Sequence, residues 1–244
     1  MDTITLTKLS QQKFPIIAFD ADDTLWRNED IFVSAQGEFI ELLAQYHDEQ
    51  YIRSHLGDVQ IRNLKHFGYG IKGFTLSMIE TAIELTEGRV TGHQVHSIIE
   101  LARRMLEAPI ELLPSIKSVL EQLQADHKLM IITKGDLLDQ ESKVARSGLA
   151  PFFDIIEVAS DKTPEAYEKI LSKHKISRKE FLMVGNSLKS DVLPLFDIGA
   201  TAIHVPYHTT WAHEEVSEQT LIEYPQLVTL ESIALLPKWL SQHS

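Results

Sequence analysis

Five short runs of β-branched and other apolar residues constrain this chain more than any other feature: PIIAFD (15–20), KLMIIT (128–133), FDIIEVA (153–159), FLMVG (181–185) and TAIHV (201–205). Each is too short for a helix and too continuously apolar for a strand with one wet face. Stretches of helical periodicity separate the last four. Runs of this kind belong to a parallel sheet covered on both sides. The expected fold is therefore α/β, with a Rossmann-like parallel sheet core.

More than 100 residues without a convincing strand separate the first run from the second. Ala35, Phe39, Leu42, Leu43 and Tyr46 recur at helical spacing, as do Leu76, Ile79, Ala82 and Ile83, and then Val95, Ile98, Ile99, Ala102, Met105 and Leu106. Thr91 and Gln94 have the spacing of a capping box, which places a helix start there. A crossover between parallel strands needs only one helix. The surplus reads as an inserted helical domain, residues 27–108, within a sheet domain made of 1–26 and 109–244.

The 244 residues carry 23 Lys+Arg against 35 Asp+Glu, a formal charge of −12, and no basic run. Nucleic acid and membrane surfaces are therefore not expected partners. The absence of cysteine removes disulfides, thiolate nucleophiles and Cys-ligated metals. No apolar run approaches the roughly 18 residues of a membrane span, and the first thirteen residues contain no leader-like apolar stretch. A cytoplasmic location is the expectation.

The strand ends carry the chemistry. In FPIIAFDADDTLW, Asp20, Asp22 and Asp23 follow an apolar run with no basic residue in the stretch. Asp20 and Asp22, two apart as they leave a strand, can face one site. Alone, Asp22–Asp23–Thr24 reads equally well as a turn cap. Thr133 ends the second run, Lys162 follows the third just before Thr163 and Pro164 at a helix N-cap and N1, and Asn186 and Asp191 follow the fourth. In open α/β sheets ligands collect at the carboxyl ends of strands. A carboxylate there can attack the phosphorus of a monoester if the site supplies positive charge, which Mg²⁺, a lysine and a hydroxyl can do together.

The ordered set Asp20-x-Asp22-x-Thr24, Thr133, Lys162 and GNSLKSD resembles the haloacid dehalogenase (HAD) superfamily on its phosphatase side. The resemblance implies a HAD-like core with an all-helical cap after the first motif, and a Mg²⁺-dependent phosphatase acting on a small phosphorylated metabolite through an aspartyl phosphate. It makes Asp20 the nucleophile and Asp22 the acid and base. Thr133 and Lys162 would hold the phosphoryl group. Asp20, the Asp22 carbonyl, Asn186 and Asp191 would be the metal ligands. Two departures stand out: Asn186 replaces the usual acid, and Lys134 stands where Asn is common. Thr24, Lys134 and Lys72 are candidate substrate contacts. The alternatives are a phosphotransferase or mutase, a dehalogenase, against which Asp22 speaks, and a phospho-accepting signalling domain, which would be shorter and uncapped.

Two other patterns have plainer readings. Gly68, Gly70 and Gly73 form a G-x-G-x-x-G, but no strand precedes it, so a turn between helices is expected. His204, His208 and His213 have no spacing suited to zinc, and Trp211 beside them is expected to pack.

Overall fold

The computed structural model describes residues 14–243. Six parallel strands form one sheet in the order β3-β2-β1-β4-β5-β6: β1 Ile16–Phe19, β2 Lys128–Lys134, β3 Ile155–Ala159, β4 Phe181–Gly185, β5 Thr201–His204 and β6 Val228–Thr229. The first five match the apolar runs to within two residues at either end. The sixth, only two residues long, has too little pattern to be seen in sequence.

Alternation fills both faces. Ile17, Phe19, Leu129, Ile131, Leu182 and Val184 pack one layer with α5 (Ile116–Leu123), part of α6 (Leu137–Ser147) and α10 (Leu236–His243). Ala18, Met130, Ile132 and Met183 face the other layer, with α7 (Pro164–Lys173) and α8 (Leu193–Asp197). Successive residues of a strand point to opposite faces, and both faces are covered, so no polar position survives within β1 or β4.

Between β1 and α5 lie four helices: α1 Glu29–Leu43, α2 Glu49–Phe67, α3 Ile71–Leu85 and α4 Gly92–Glu107. They share an apolar cluster of their own, from Ala35 to Met105, which includes no strand residue. The Thr91 capping box opens α4, with Gln94 N–H donating to Thr91 Oγ1 and the Thr91 N–H to Gln94 Oε1. The face expected on α3 is rotated. Leu76 and Ile83 are exposed, whereas Phe74, Met78, Ala82 and Leu85 are buried. Tyr46 falls beyond the end of α1. The glycine pattern is a turn, as expected: Gly68 ends α2 and Gly70 precedes α3, with φ of 69° and 108°. The chain enters and leaves these helices side by side, Arg27 N–H donating to the Glu111 carbonyl (2.9 Å) and Leu113 N–H to the Leu25 carbonyl (3.0 Å). No helix among the described residues is long and apolar enough to cross a membrane.

β4 ends on Gly185 for a steric reason. A Cβ at this position would overlap the Asp191 carboxyl, which folds back over the strand end. Gly185→Ala is expected to cost about 1–3 kcal/mol as overpacking at a buried site. Urea denaturation should show the loss; an unchanged midpoint would contradict the close approach.

Candidate active site

Asp20, Asp22, Asp23, Thr133, Lys162, Asn186 and Asp191 line one cavity of about 210 Å³, roofed by α1–α3 and by the segment after β5; Thr24, expected as a substrate contact, is buried behind it and does not line it. Asp20 leaves β1 with its N–H still in the ladder, donating to the Val184 carbonyl at 2.9 Å. The residue is 6% exposed. Lys162 Nζ donates to Asp20 Oδ1 and, at 2.7 Å, to Asp191 Oδ1. Burial alone would lower the pKa of the ammonium, but Asp191 and Asp20 outweigh it and hold Lys162 charged above the usual lysine range. Burial likewise pushes the Asp20 carboxyl up, against the opposing pull of Lys162. Local sequence fixes Lys162. Thr163 Oγ1 caps α7 by accepting from Ala166 N–H (3.2 Å) and Pro164 starts the helix, as expected.

The three aspartates after β1 have three different partners, which explains how they tolerate one another. Asp22 accepts from Lys143 Nζ (3.0 Å to each oxygen), Gln140 Nε2 (2.8 Å) and Trp26 Nε1 (2.7 Å). Asp23, at φ 62°, accepts from the N–H groups of Asn28 (2.8 Å) and Glu29 (3.1 Å), capping a helix whose own Asn28 supplies no side-chain cap. Burial still pushes Asp23 up to about 7. Asp20 and Asp22 do line one cavity, as their spacing suggests, but β1 stops at Phe19, so Asp22 arrives through the turn.

Thr24 Oγ1 lies 3.2 Å from Asp20 Oδ2 and accepts from the backbone N–H of Asn186 (3.0 Å), tying the β1 turn to the end of β4. The Asn186 amide faces Asp20 Oδ2 (3.2 Å), Thr24 Oγ1 (3.1 Å) and the Asp22 carbonyl (3.1 Å); its nitrogen belongs on that side, where it can donate to the acceptors. Asp191 has both oxygens engaged: Oδ1 accepts from Lys162, which it shares with Asp20, and Oδ2 accepts from Ser187 N–H at 2.9 Å. Thr133 Oγ1 is buried at the cavity wall with no hydrogen-bond partner.

Of the candidate substrate contacts, Lys134 lines the cavity but is already paired. It donates to Glu214 Oε1 (2.5 Å) and Ser190 Oγ (2.8 Å), and lies 4.2 Å from the centroid of the Tyr69 ring. The expectation for Lys72 is corrected. This side chain points outward, about half exposed, and pairs with Asp136 at 2.8 Å instead of lining the cavity. The three histidines separate: His204 meets the Asn186 carbonyl (3.0 Å), His208 meets Asp30 (2.9 Å), and His213 lies beside Lys189. Trp211 does more than pack, because it lines the cavity edge-on to Tyr69.

Sequence reasoning missed Lys143, Gln140, Glu214 and Glu29. A signal for the first two exists in α6, whose polar stripe Asp139, Gln140 and Lys143 is buried while Leu137 and Leu138 are exposed. That inversion of ordinary amphipathicity marks a helix that faces a polar site. Glu29 lines the cavity, and burial together with the nearby Asp23 and Asp22 pushes its carboxyl up to about 8. Glu214 goes the other way. Burial would raise it, but Lys134 and the hydroxyls of Ser187 (2.5 Å) and Ser190 (2.6 Å) bring it down to about 2.

A parallel sheet with an aspartate-rich first strand end, a hydroxyl after the second and a lysine after the third defines a hydrolase type that the comparisons identify. The chain belongs to the haloacid dehalogenase-like hydrolases, whose family model matches residues 14–199. It is similar to the crystal structure of a haloacid dehalogenase-like family hydrolase from Xanthomonas campestris, with 39% identity, a TM-score of 0.84, and coverage of 95% of this chain and 92% of that one. Two curated relatives are each 24% identical. The pyrimidine 5'-nucleotidase of Escherichia coli matches over 80% of this chain and 88% of its own, and the glyceraldehyde 3-phosphate phosphatase of Methanocaldococcus jannaschii over 88% and 95%.

Glu214 supplies a pH test. Its pKa is depressed in the folded protein, so its contribution is complete above the unfolded carboxylate range and is lost as pH falls from about 5 towards 2. Glu214→Gln should be less stable than wild type at pH 7, by on the order of 2 kcal/mol. The gap should narrow to about half or less at pH 3 and close only towards pH 2. Urea denaturation at both values checks this, and a gap that is constant with pH would contradict the ion-pair account.

Proposed function

We propose that the protein is a Mg²⁺-dependent phosphatase that hydrolyses a small phosphomonoester through an aspartyl phosphate on Asp20, with residues 27–108 acting as a cap over a core of 1–26 and 109–244. The observation that carries this reading is the convergence on Asp20 of a buried lysine and, at the same cavity, an unsatisfied buried hydroxyl on Thr133. A buried hydroxyl without a partner is costly unless a ligand oxygen completes it. A tetrahedral phosphoryl group offers oxygens to both Thr133 and Lys162.

The chain's own oxygens fit a hard cation. Asp20 Oδ2 and the Asp22 carbonyl already lie within 3.2 Å of one terminal atom of the Asn186 amide. Turning that amide about its last bond would present oxygen in place of nitrogen, giving a carboxylate, a carbonyl and an amide oxygen, a donor set suited to Mg²⁺. Asp191 is better read as the partner that holds Lys162 charged than as a direct ligand. When bound, the ion would neutralise the charge of the phosphoryl oxygens as Asp20 approaches.

Lys162 screens the nucleophile from a dianionic substrate and positions its carboxylate. Asp22 must donate a proton to the leaving oxygen and then take one from water. Its present partners, Lys143, Gln140 and Trp26, hold it in place as an acceptor, a state suited to the second of these steps. A hydrolase that attacks carbon has no protonation step for such a residue, which favours phosphorus as the target.

Two measurements test the assignment. With p-nitrophenyl phosphate, whose leaving group needs no proton, Asp20→Asn should form no phosphoenzyme in rapid-quench experiments. Asp22→Asn should accumulate it, with turnover reduced about 10²-fold or more. Phosphoenzyme on Asp20→Asn would exclude Asp20 as nucleophile. For the metal, Asn186→Asp should lower the melting temperature in EDTA, because a second carboxylate then faces Asp20, and Mg²⁺ should raise it further than it does for wild type. Identical Mg²⁺ responses of the two proteins would remove Asn186 from the ligand set.

A further inference from the structure

The cavity is polarised. Its core end holds the lysines Lys134, Lys143 and Lys162, and these are the cations that line it; no arginine or histidine does so among the described residues. Every one is already committed, Lys162 to Asp20 and Asp191, Lys143 to Asp22, and Lys134 to Glu214. Against these three ammonium groups stand six carboxyls: Asp20, Asp22, Asp23, Glu29, Asp191 and Glu214. No ammonium at the core end is therefore left uncommitted for a second anionic group.

The roof is different in kind. After Glu29 at its start, α1 contributes Phe32, Val33 and Gln36, α2 contributes Gln60, Asn63 and Leu64, and α3 contributes Phe74 and Ser77. Beyond Glu29, none of these carries a charged side chain. The Phe32 and Phe74 rings lie 5.3 Å apart, and Tyr69 meets Trp211 edge-on at 6.3 Å. Lys134 is the ammonium beside this region, 4.2 Å from the centroid of the Tyr69 ring but paired with Glu214; Arg53, whose guanidinium donates to Gln36 (2.7 Å) and to Glu49 (2.7 Å) on the exposed side, does not line the cavity.

We infer that this roof selects phosphomonoesters whose organic part is small, uncharged and flat or apolar, and that it rejects those bearing a second anionic group. The inference rests on the phosphatase reading for the position of the phosphoryl group and goes beyond it in naming the class of leaving group. A remote carboxylate or second phosphate would be carried among the rings and neutral amides of the roof with no uncommitted ammonium to meet it. Desolvating a charge without a partner costs far more than the apolar contacts of a ring return. A neutral ring instead gains aromatic contact with Phe32 and Phe74, and its polar atoms can meet the Gln60 amide. The cavity volume lies below the roughly 300–1,000 Å³ of pockets for drug-sized ligands, which limits the organic part to about one ring.

A matched pair isolates the effect of charge. Benzylphosphonate and 4-carboxybenzylphosphonate differ by one remote carboxylate, and their affinities for the Mg²⁺-loaded protein can be measured by calorimetry, alongside hydrolysis of the corresponding benzyl phosphates. Wild type should bind the neutral phosphonate at least about tenfold more tightly. Gln60→Lys, which places a cation in the roof, should shrink or reverse that ratio, and Phe74→Ala should weaken the neutral ligand while changing the carboxylated one less. Equal affinities in wild type, tighter binding of the carboxylated ligand, or binding of neither would overturn the inference. Hydrolysis of neither phosphate by a protein that still separates the two phosphonates would count against the phosphatase reading and leave the selectivity standing.

Discussion

Lys162 between Asp20 and Asp191 is the interaction on which the rest of the site is arranged. The two carboxyls leave neighbouring strands, β1 and β4, and the lysine reaches them from the loop after β3, on the far side of β2. All three side chains are almost wholly buried. Two carboxylates with one ammonium leave a net negative charge in a poorly solvated place, and removing one partner of a buried pair typically costs about 3–5 kcal/mol. Several features of the surrounding sequence serve this triad. Gly185 leaves room for Asp191 to fold back, Ser187 N–H holds its second oxygen, and the Thr163 cap fixes where α7 begins and hence where Lys162 stands.

The acidic stretch after β1 follows from the same physics. Like charges two and three residues apart are tolerable only where each finds a different counterpart. Asp20 finds the β3 loop, Asp22 finds α6, and Asp23 finds the first N–H groups of α1. Each of these contacts also joins a separate part of the fold to one turn. The turn is thus fixed from the core side by charge and from the helical side by a cap, and α1 starts in register with the site it covers.

Over that charged floor, the helical segment and the residues after β5 meet through Tyr69, Trp211, Lys134 and Glu214. Lys134 lies at the junction, with its ammonium on Glu214 and the Tyr69 ring beside it. This arrangement makes the residue after Thr133 part of the wall, whereas the sequence alone made it a candidate substrate contact. These four residues all line the cavity, where low exposure to water strengthens charge interactions.

The parallel sheet was legible because strands buried on both faces must be apolar throughout, and a polar residue can appear only where such a strand ends. That rule located Asp20, Thr133, Lys162, Asn186 and Asp191 with no knowledge of their neighbours. The capping box at Thr91 and the cap at Thr163 were legible for a similar reason, since their partners lie three residues away in sequence. Lys143, Gln140 and Glu214 were not, because their partners lie 24 to 121 residues away along the chain. Lys72 shows the converse: its sequence neighbourhood suggested the cavity, and Asp136, 64 residues away, holds it outside. Sequence by itself determined what depends on local periodicity and on the desolvation cost of a polar group within a strand. Only the tertiary structure decided which buried charge meets which, because hydrogen bonding and charge pairing act over a few ångströms in space and leave no regular spacing along the chain.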